Sequence, residues 1–264
     1  MFTSNHFAEL SAFIPVSVMQ WYIVIMILLV IGGTLFDVVH KRSAEYFFRA
    51  SQKSKSDAKR EVPGGEKASL AVQTVLSEVL TSSEFCNPHR RIAHLLTMYG
   101  FLAYLITTII MVFGYPTPAV STPAILPLIW YLGALMVCVG GYWFWFFIRV
   151  DVAAEGNSPF RLIPADLFIV SVLLSVTFGL IWAILQSSDG GVWTNIFLGL
   201  YLLTNTVLFA SIPWSKFAHM FFKPAAAYQK RVMKADGSRE NLPEPADRPE
   251  QFGLGIKRLK PRNY

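Results

Sequence analysis

Five histidines punctuate the chain, at positions 6, 40, 89, 94 and 219. His94 opens the apolar run 92–113, within Arg90-Arg91-Ile92-Ala93-His94. His219 closes a run from Trp193, within Trp214-Ser215-Lys216-Phe217-Ala218-His219. A neutral imidazole is a good ligand for iron, and one from each of two facing helices is how a helical bundle grips a b-type heme. Arg90, Arg91 and Lys216 flank the pair, where cations pair with the two propionates of such a group. The same three residues also satisfy the rule that basic residues gather on the inner side of a membrane. An interfacial histidine needs no iron either, so spacing alone leaves ligand and solvated imidazole both open.

Depth narrows the choice. At ~1.5 Å per helical residue, His94 lies about 30 Å from Gly114, and His40 a similar distance from Trp21. His219 lies about 36 Å from Asn195, an excess that tilt or a kink at Pro213 absorbs. His40, His94 and His219 therefore share one level, and His40 is the alternative partner for the iron. His89 is about 140° round the helix from His94, so the two cannot face one macrocycle. It sits in the first turn, in water. His6 belongs to the opposite side and reads as isolated.

These residues need a scaffold, and composition names it. Of 264 residues, 53% are hydrophobic and 15% charged, against about 25% charged in soluble domains, so lipid is the solvent. Five stretches without Lys or Arg suffice, or nearly, to cross a bilayer: 18–36, 92–113, 125–148, 167–185 and 196–212. The last two are short and are expected to run further. All 23 Lys and Arg fall in 41–91, 149–161 and the tail from 216. That places the N-terminus outside and the C-terminus in the cytoplasm. The fold expected is an all-α integral membrane bundle of five transmembrane helices, multi-pass in the cytoplasmic (inner) membrane. Topology explains the pI of about 9.3, and no nucleic-acid partner is expected. No cleavable leader precedes the first span, which reads as a retained anchor.

Three regions follow: an outer segment 1–17, a membrane domain 18–222 with a cytoplasmic loop 41–87, and a basic tail 223–264 without a core of its own. In the loop, Ser51–Arg60 and Pro63-Gly64-Gly65 read as flexible. Residues 68–80 repeat Leu70, Val72, Val75, Val79 and Leu80 at helical spacing, an amphipathic helix for the membrane or a partner. Asn87-Pro88 is a helix start. Asp189-Gly190-Gly191 is a turn, and 142–147 is an aromatic belt. The fifth helix is expected to pass through Pro213 and end at Lys223-Pro224. Cys86 and Cys138 lack a CxxC neighbour, so an iron–sulfur or zinc site is not expected.

The segments Val79-Leu80-Thr81-Ser82-Ser83-Glu84-Phe85, Arg90 to Phe101, and Pro213 to Met220 resemble a known family. They are similar to the membrane part of the quinone-interacting membrane-bound oxidoreductase and to the membrane anchor of adenylylsulfate reductase. More distantly they resemble the five-helix cytochromes b of the nitrate reductase gamma family, over roughly residues 20–223. The resemblance implies one heme b held by His94 and His219. It implies electron exchange between a diffusible quinone, menaquinone or ubiquinone, and a cytoplasmic iron–sulfur and flavin enzyme of dissimilatory sulfur metabolism. Such a chain is an electron-transfer subunit with no catalytic residue of its own. In the quinone-interacting oxidoreductase the membrane part follows an iron–sulfur domain with cysteine motifs. This chain has none, which favours the stand-alone anchor. Diheme relatives carry a second histidine on each ligand helix; here Tyr104 and Tyr201 stand there, so one heme is expected. For a quinone, Asn205, Thr204, Thr206, Thr107, Thr108 and the two tyrosines are candidate hydrogen-bonding groups, with an interhelical bond the plainer role for Asn205. Asp151 and Asp166 read as helix-end caps or proton relays. The rival readings are a heme-free anchor that only recruits a soluble redox partner, and a transporter. The spans lack the broken helices and central charges of the latter.

Overall fold

The computed structural model describes residues 2–40, 43–83, 85, 87–214, 219–238, 251–252 and 256–257. Among the described residues, every regular element is helical apart from a two-residue antiparallel ladder, Gln251–Phe252 with Ile256–Lys257. Two short helical turns begin the chain, α1 (His6–Glu9) and a 3₁₀ turn Leu10–Ala12. Five helices are long and apolar enough to cross a membrane: α2 (Val16–His40), α5 (Pro88–Gly114), α6 (Ile125–Trp143, continued by a π-turn to Ile148), α8 (Leu167–Ser187, opened by a 3₁₀ turn from Pro164) and α9 (Val192–Ala210). Between them come α3 (Ser43–Ser56), α4 (Gly64–Thr74, with a π-turn Val75–Leu80) and the single turn α7 (Val150–Ala153). Last is α10 (His219–Asp236). The chain divides into two compact units, 1–36 with 92–217 and 37–91 with 218–264.

In the first unit the five long helices close a ring. Two lipid-bathed helices gain nothing from burying apolar surface against each other, so they associate through close packing and hydrogen bonds. Small residues supply the closest approach. A Cβ on Gly133 of α6 would lie 2.7 Å from the Gly100 carbonyl oxygen of α5, and one on Gly140 would lie 2.6 Å from that of Ala93. Next round the ring, the Tyr142 hydroxyl of α6 meets Thr177 Oγ1 of α8 at 2.8 Å. The Trp182 and Tyr201 rings then stack at 5.6 Å, joining α8 to α9. Tyr22 of α2 donates its hydroxyl to the Leu202 carbonyl of α9 at 2.9 Å, and Gln20 reaches the Val112 carbonyl of α5. Between α8 and α9 the chain turns through Asp189 and Gly191, both in the left-handed region, where glycine costs least.

At the end of this unit where Lys and Arg occur, Arg149 and Asp166 form a buried ion pair at 2.6 Å. The Arg149 guanidinium also donates to the Arg161 carbonyl and lies 4.0 Å over the Trp145 ring. Asp166 accepts the Ile163 N–H as well. The pair thus fastens the 149–166 turn, and Asp166 is a cap with a paired charge rather than a solvated one. Trp145 of the expected aromatic belt is buried under it, whereas Phe147 is exposed.

Three expectations are corrected here. The fifth span does not run through Pro213: α9 ends at Ala210 and residues 211–214 form a turn. Proline removes an N–H and clashes with the carbonyl four residues back, which here lies inside α9. Nor does Lys223-Pro224 end a helix, since Pro224 lies inside α10. The Lys/Ser-rich stretch from Ser51 is helical as far as Ser56.

Tertiary contacts within the second unit explain the last two. Arg231 of α10 donates to Ser77 Oγ (2.6 Å) and Glu78 (2.8 Å) beside α4. The Asp236 carbonyl, one of the orphan acceptors of a helix C-terminus, takes the Lys59 and Arg60 N–H groups at 2.9 and 3.2 Å. Gly237 follows in the left-handed conformation usual just past a helix. The first stretch of the tail is therefore an integral part of a folded unit. Its docking covers one side of α4, while Val72, Val75, Leu76 and Leu80 stay exposed.

The α5–α6 seam can be tested by volume. Gly133→Leu forces its side chain into the Gly100 and Tyr104 backbone and is expected to lower the melting temperature in detergent by at least several degrees, by overpacking worth roughly 1–3 kcal/mol. Gly32→Ala, which meets nothing within 4 Å, should leave it unchanged.

Candidate functional site

The residues singled out for iron divide between the units. His94 stands in the second turn of α5, half-buried, in the first unit. Its neighbour Ala93 is completely buried against Gly140, which fixes the rotation of this turn. His219 is the first residue of α10, in the second unit, not the last of the fifth span; its side chain lies outside the described residues. Lys216 and Cys86 lie outside them too. His40 is exposed at the end of α2, and His89 is exposed in the first turn of α5. Asn87 caps that helix as expected, its Oδ1 accepting the His89 and Arg90 N–H groups. Arg90 and Arg91 are half-buried, and Arg91 Nε donates to the Thr81 carbonyl at 2.6 Å. Among the described residues no three His, Cys, Asp or Glu side chains gather as a metal site.

The polar candidates for a quinone turn mostly to their own helices. Asn205 Nδ2 donates to the Tyr201 carbonyl at 2.8 Å, so its bond lies within α9 rather than between helices. Thr204, Thr107 and Thr108 likewise bond carbonyls one turn back. Thr206 bonds the Leu202 carbonyl and also meets the Tyr22 hydroxyl. Such bonds satisfy the hydroxyl locally and leave little for a ligand.

A second constellation went unforeseen. His6, read from the sequence as isolated, is buried at the end of the bundle that lacks Lys and Arg. Its Nε2 is hydrogen-bonded to the Tyr131 hydroxyl. Its ring lies 6.4 Å from Trp130, 5.6 Å from Tyr131 and 6.2 Å from Trp182. Phe7 fits between the two tryptophans, 6.0 Å from one and 5.3 Å from the other. Deeper in, Tyr104 stacks on Trp130 at 4.8 Å and Tyr201 on Trp182. Both tyrosines press on Gly179, where a Cβ would fall 2.5 Å from the Tyr104 hydroxyl.

Asn5 builds the support. Its Oδ1 accepts the Phe7 and Ala8 N–H groups, and its Nδ2 donates to the Tyr115 carbonyl (2.9 Å) and Thr122 Oγ1 (3.0 Å). Gln186 Nε2 donates to the His6 carbonyl and to Glu9, each at 2.9 Å. Four buried atoms here make no hydrogen bond of normal geometry: His6 Nδ1, Tyr104 Oη, Trp182 Nε1 and Gln186 Oε1. Burial pushes the His6 imidazole down to about 4, and the positive amino group of residue 1 adds to the effect. The only sequence signal is Asn5 itself, a capping residue three places before Ala8.

Compared with known families, curated proteins and solved structures, the chain finds no match.

Asn5→Ala removes a helix cap and two ties to the 115–122 loop. Local stability of α1 should fall by about 1–2 kcal/mol, read as roughly tenfold faster amide exchange at residues 7–9.

Proposed function

We propose that this chain is a b-type cytochrome of the inner membrane that anchors a soluble cytoplasmic redox enzyme and passes electrons between it and the quinone pool. The observation that carries the reading is His94. It is a half-buried imidazole in the second turn of an apolar, membrane-length helix. Its rotation is set by the Ala93–Gly140 contact, and Arg90 lies one turn earlier on the same helix. This donor suits a heme iron. His219 would supply the second nitrogen, with His40 as the alternative, and Arg90, Arg91 and Lys216 would receive the propionates. The heme would supply a one-electron iron couple. Chain residues would set how strongly the oxidised form is held, through imidazole ligation and burial. Tyr104 and Tyr201, where diheme relatives carry a second pair of histidines, stack on Trp130 and Trp182, and two phenols in place of two imidazoles favour one heme.

Adenylylsulfate reductase as the partner, and menaquinone or ubiquinone as the mobile carrier, rest on the resemblance of the histidine motifs. The anchor makes or breaks no bond in the sulfur substrate.

Visible spectra of the purified protein test this. A reduced-minus-oxidised b-type signal is expected in the wild type and in His40→Ala, and its loss in His94→Ala and in His219→Ala. A wild type without the signal leaves the heme-free tether, and a signal persisting in folded His94→Ala removes His94 as ligand.

A further inference from the structure

We infer that residues 2–12 form an acid-released plug: protonation of His6 undocks this segment and bares the Trp130 and Trp182 rings. The inference does not depend on the heme.

Docking rests on two kinds of contact. The Asn5 hydrogen bonds and the wedging of Phe7 between two tryptophans do not titrate. They hold the plug at neutral pH. The His6 ring does titrate. It is 3% exposed, its Nε2 is committed to Tyr131, and its Nδ1 has no hydrogen-bond partner. A protonated imidazole carries two N–H donors, so Nδ1–H would be buried without an acceptor and the charge buried among rings. The aromatic faces give back part of that cost, but not hydration.

Beyond the Tyr131 hydroxyl at Nε2, no facing group hydrogen-bonds the ring, and none of those bonded to it carries a negative charge. Helix α6 presents the neutral Tyr131 phenol and Trp130, and α8 presents Trp182 and Gln186. From α5 comes Tyr104, stacked behind Trp130. Glu9, on the plug itself, has its carboxylate on Gln186 Nε2, and the amino group of residue 1 is itself positive.

The sign follows from linkage. Docked His6 is held down to about 4 and the released ring returns to about 6.5. Docking is therefore at full strength above pH 6.5 and weakens as pH falls towards 4, by a limiting factor of about 300. Acid reaching this end of the bundle is the trigger.

Amide exchange of the full chain in lipid nanodiscs, corrected for intrinsic rates, reads the opening directly. Between pH 7.5 and 4.5, protection at residues 7–14 should fall about 70-fold in the wild type. It should fall equally in Glu9→Gln and stay flat in His6→Gln. Should His6→Gln fail to fold, Tyr131→Phe keeps the titrating ring, and its protection should start lower yet still fall with acid. A flat wild-type profile overturns the plug. So does an unchanged fall in folded His6→Gln, a fall abolished by Glu9→Gln, or a flat profile in Tyr131→Phe.

Discussion

The backbone contact between α5 and α6 constrains the rest of the first unit. Lipid offers no reward for hiding one apolar helix behind another, so the seam must come from residues small enough to let main chains touch. Ala93 and Gly100 on one side, Gly133 and Gly140 on the other, bring carbonyl oxygens within 3 Å of where a Cβ would stand. Once Ala93 and Gly100 face α6, every other direction on α5 is fixed. Tyr104 turns inward to Trp130 and Gly179. His94, about 100° from Ala93, lies beside the seam instead of in it.

The two ends of this bundle are built on different physics. One is tied by the buried Arg149–Asp166 pair, where the two terminal guanidinium nitrogens find Asp166 and the Pro159 and Arg161 carbonyls while Nε has no hydrogen-bond partner. The attraction is thus set against the removal of both charges from water. The other is an aromatic stack sealed by an N-terminal segment. There each ring pair contributes of order 1 kcal/mol beyond its burial, and the side chains that touch the His6 ring are neutral. The first end thus buries an ion pair, and the second buries an imidazole, His6, among aromatic rings.

Much of the fold was legible because its signals are local. The absence of Lys and Arg marked the five spans, Asn87 marked the start of α5, and Asp189-Gly190-Gly191 marked the turn before α9. What escaped depends on contacts distant in sequence. A proline six residues into α10 normally stops a helix, yet this one continues because Arg231 and the Asp236 carbonyl find partners near α4 and before it. Pro213, by contrast, suggests a kink at a place where the helix simply ends. His6 reads as isolated because nothing near it in sequence says that Tyr131 lies beside it. The His94 turn was readable, whereas pairing it with His219 rests on motif resemblance alone.

The chemical reading reduces to whether His94 helps hold a single iron. Heme extracted from the purified wild-type chain, quantified against protein by amino-acid analysis, measures this most directly. One heme b per chain, low-spin by electron paramagnetic resonance, is the predicted result. A ratio of zero, a ratio of two, or a high-spin iron contradicts it.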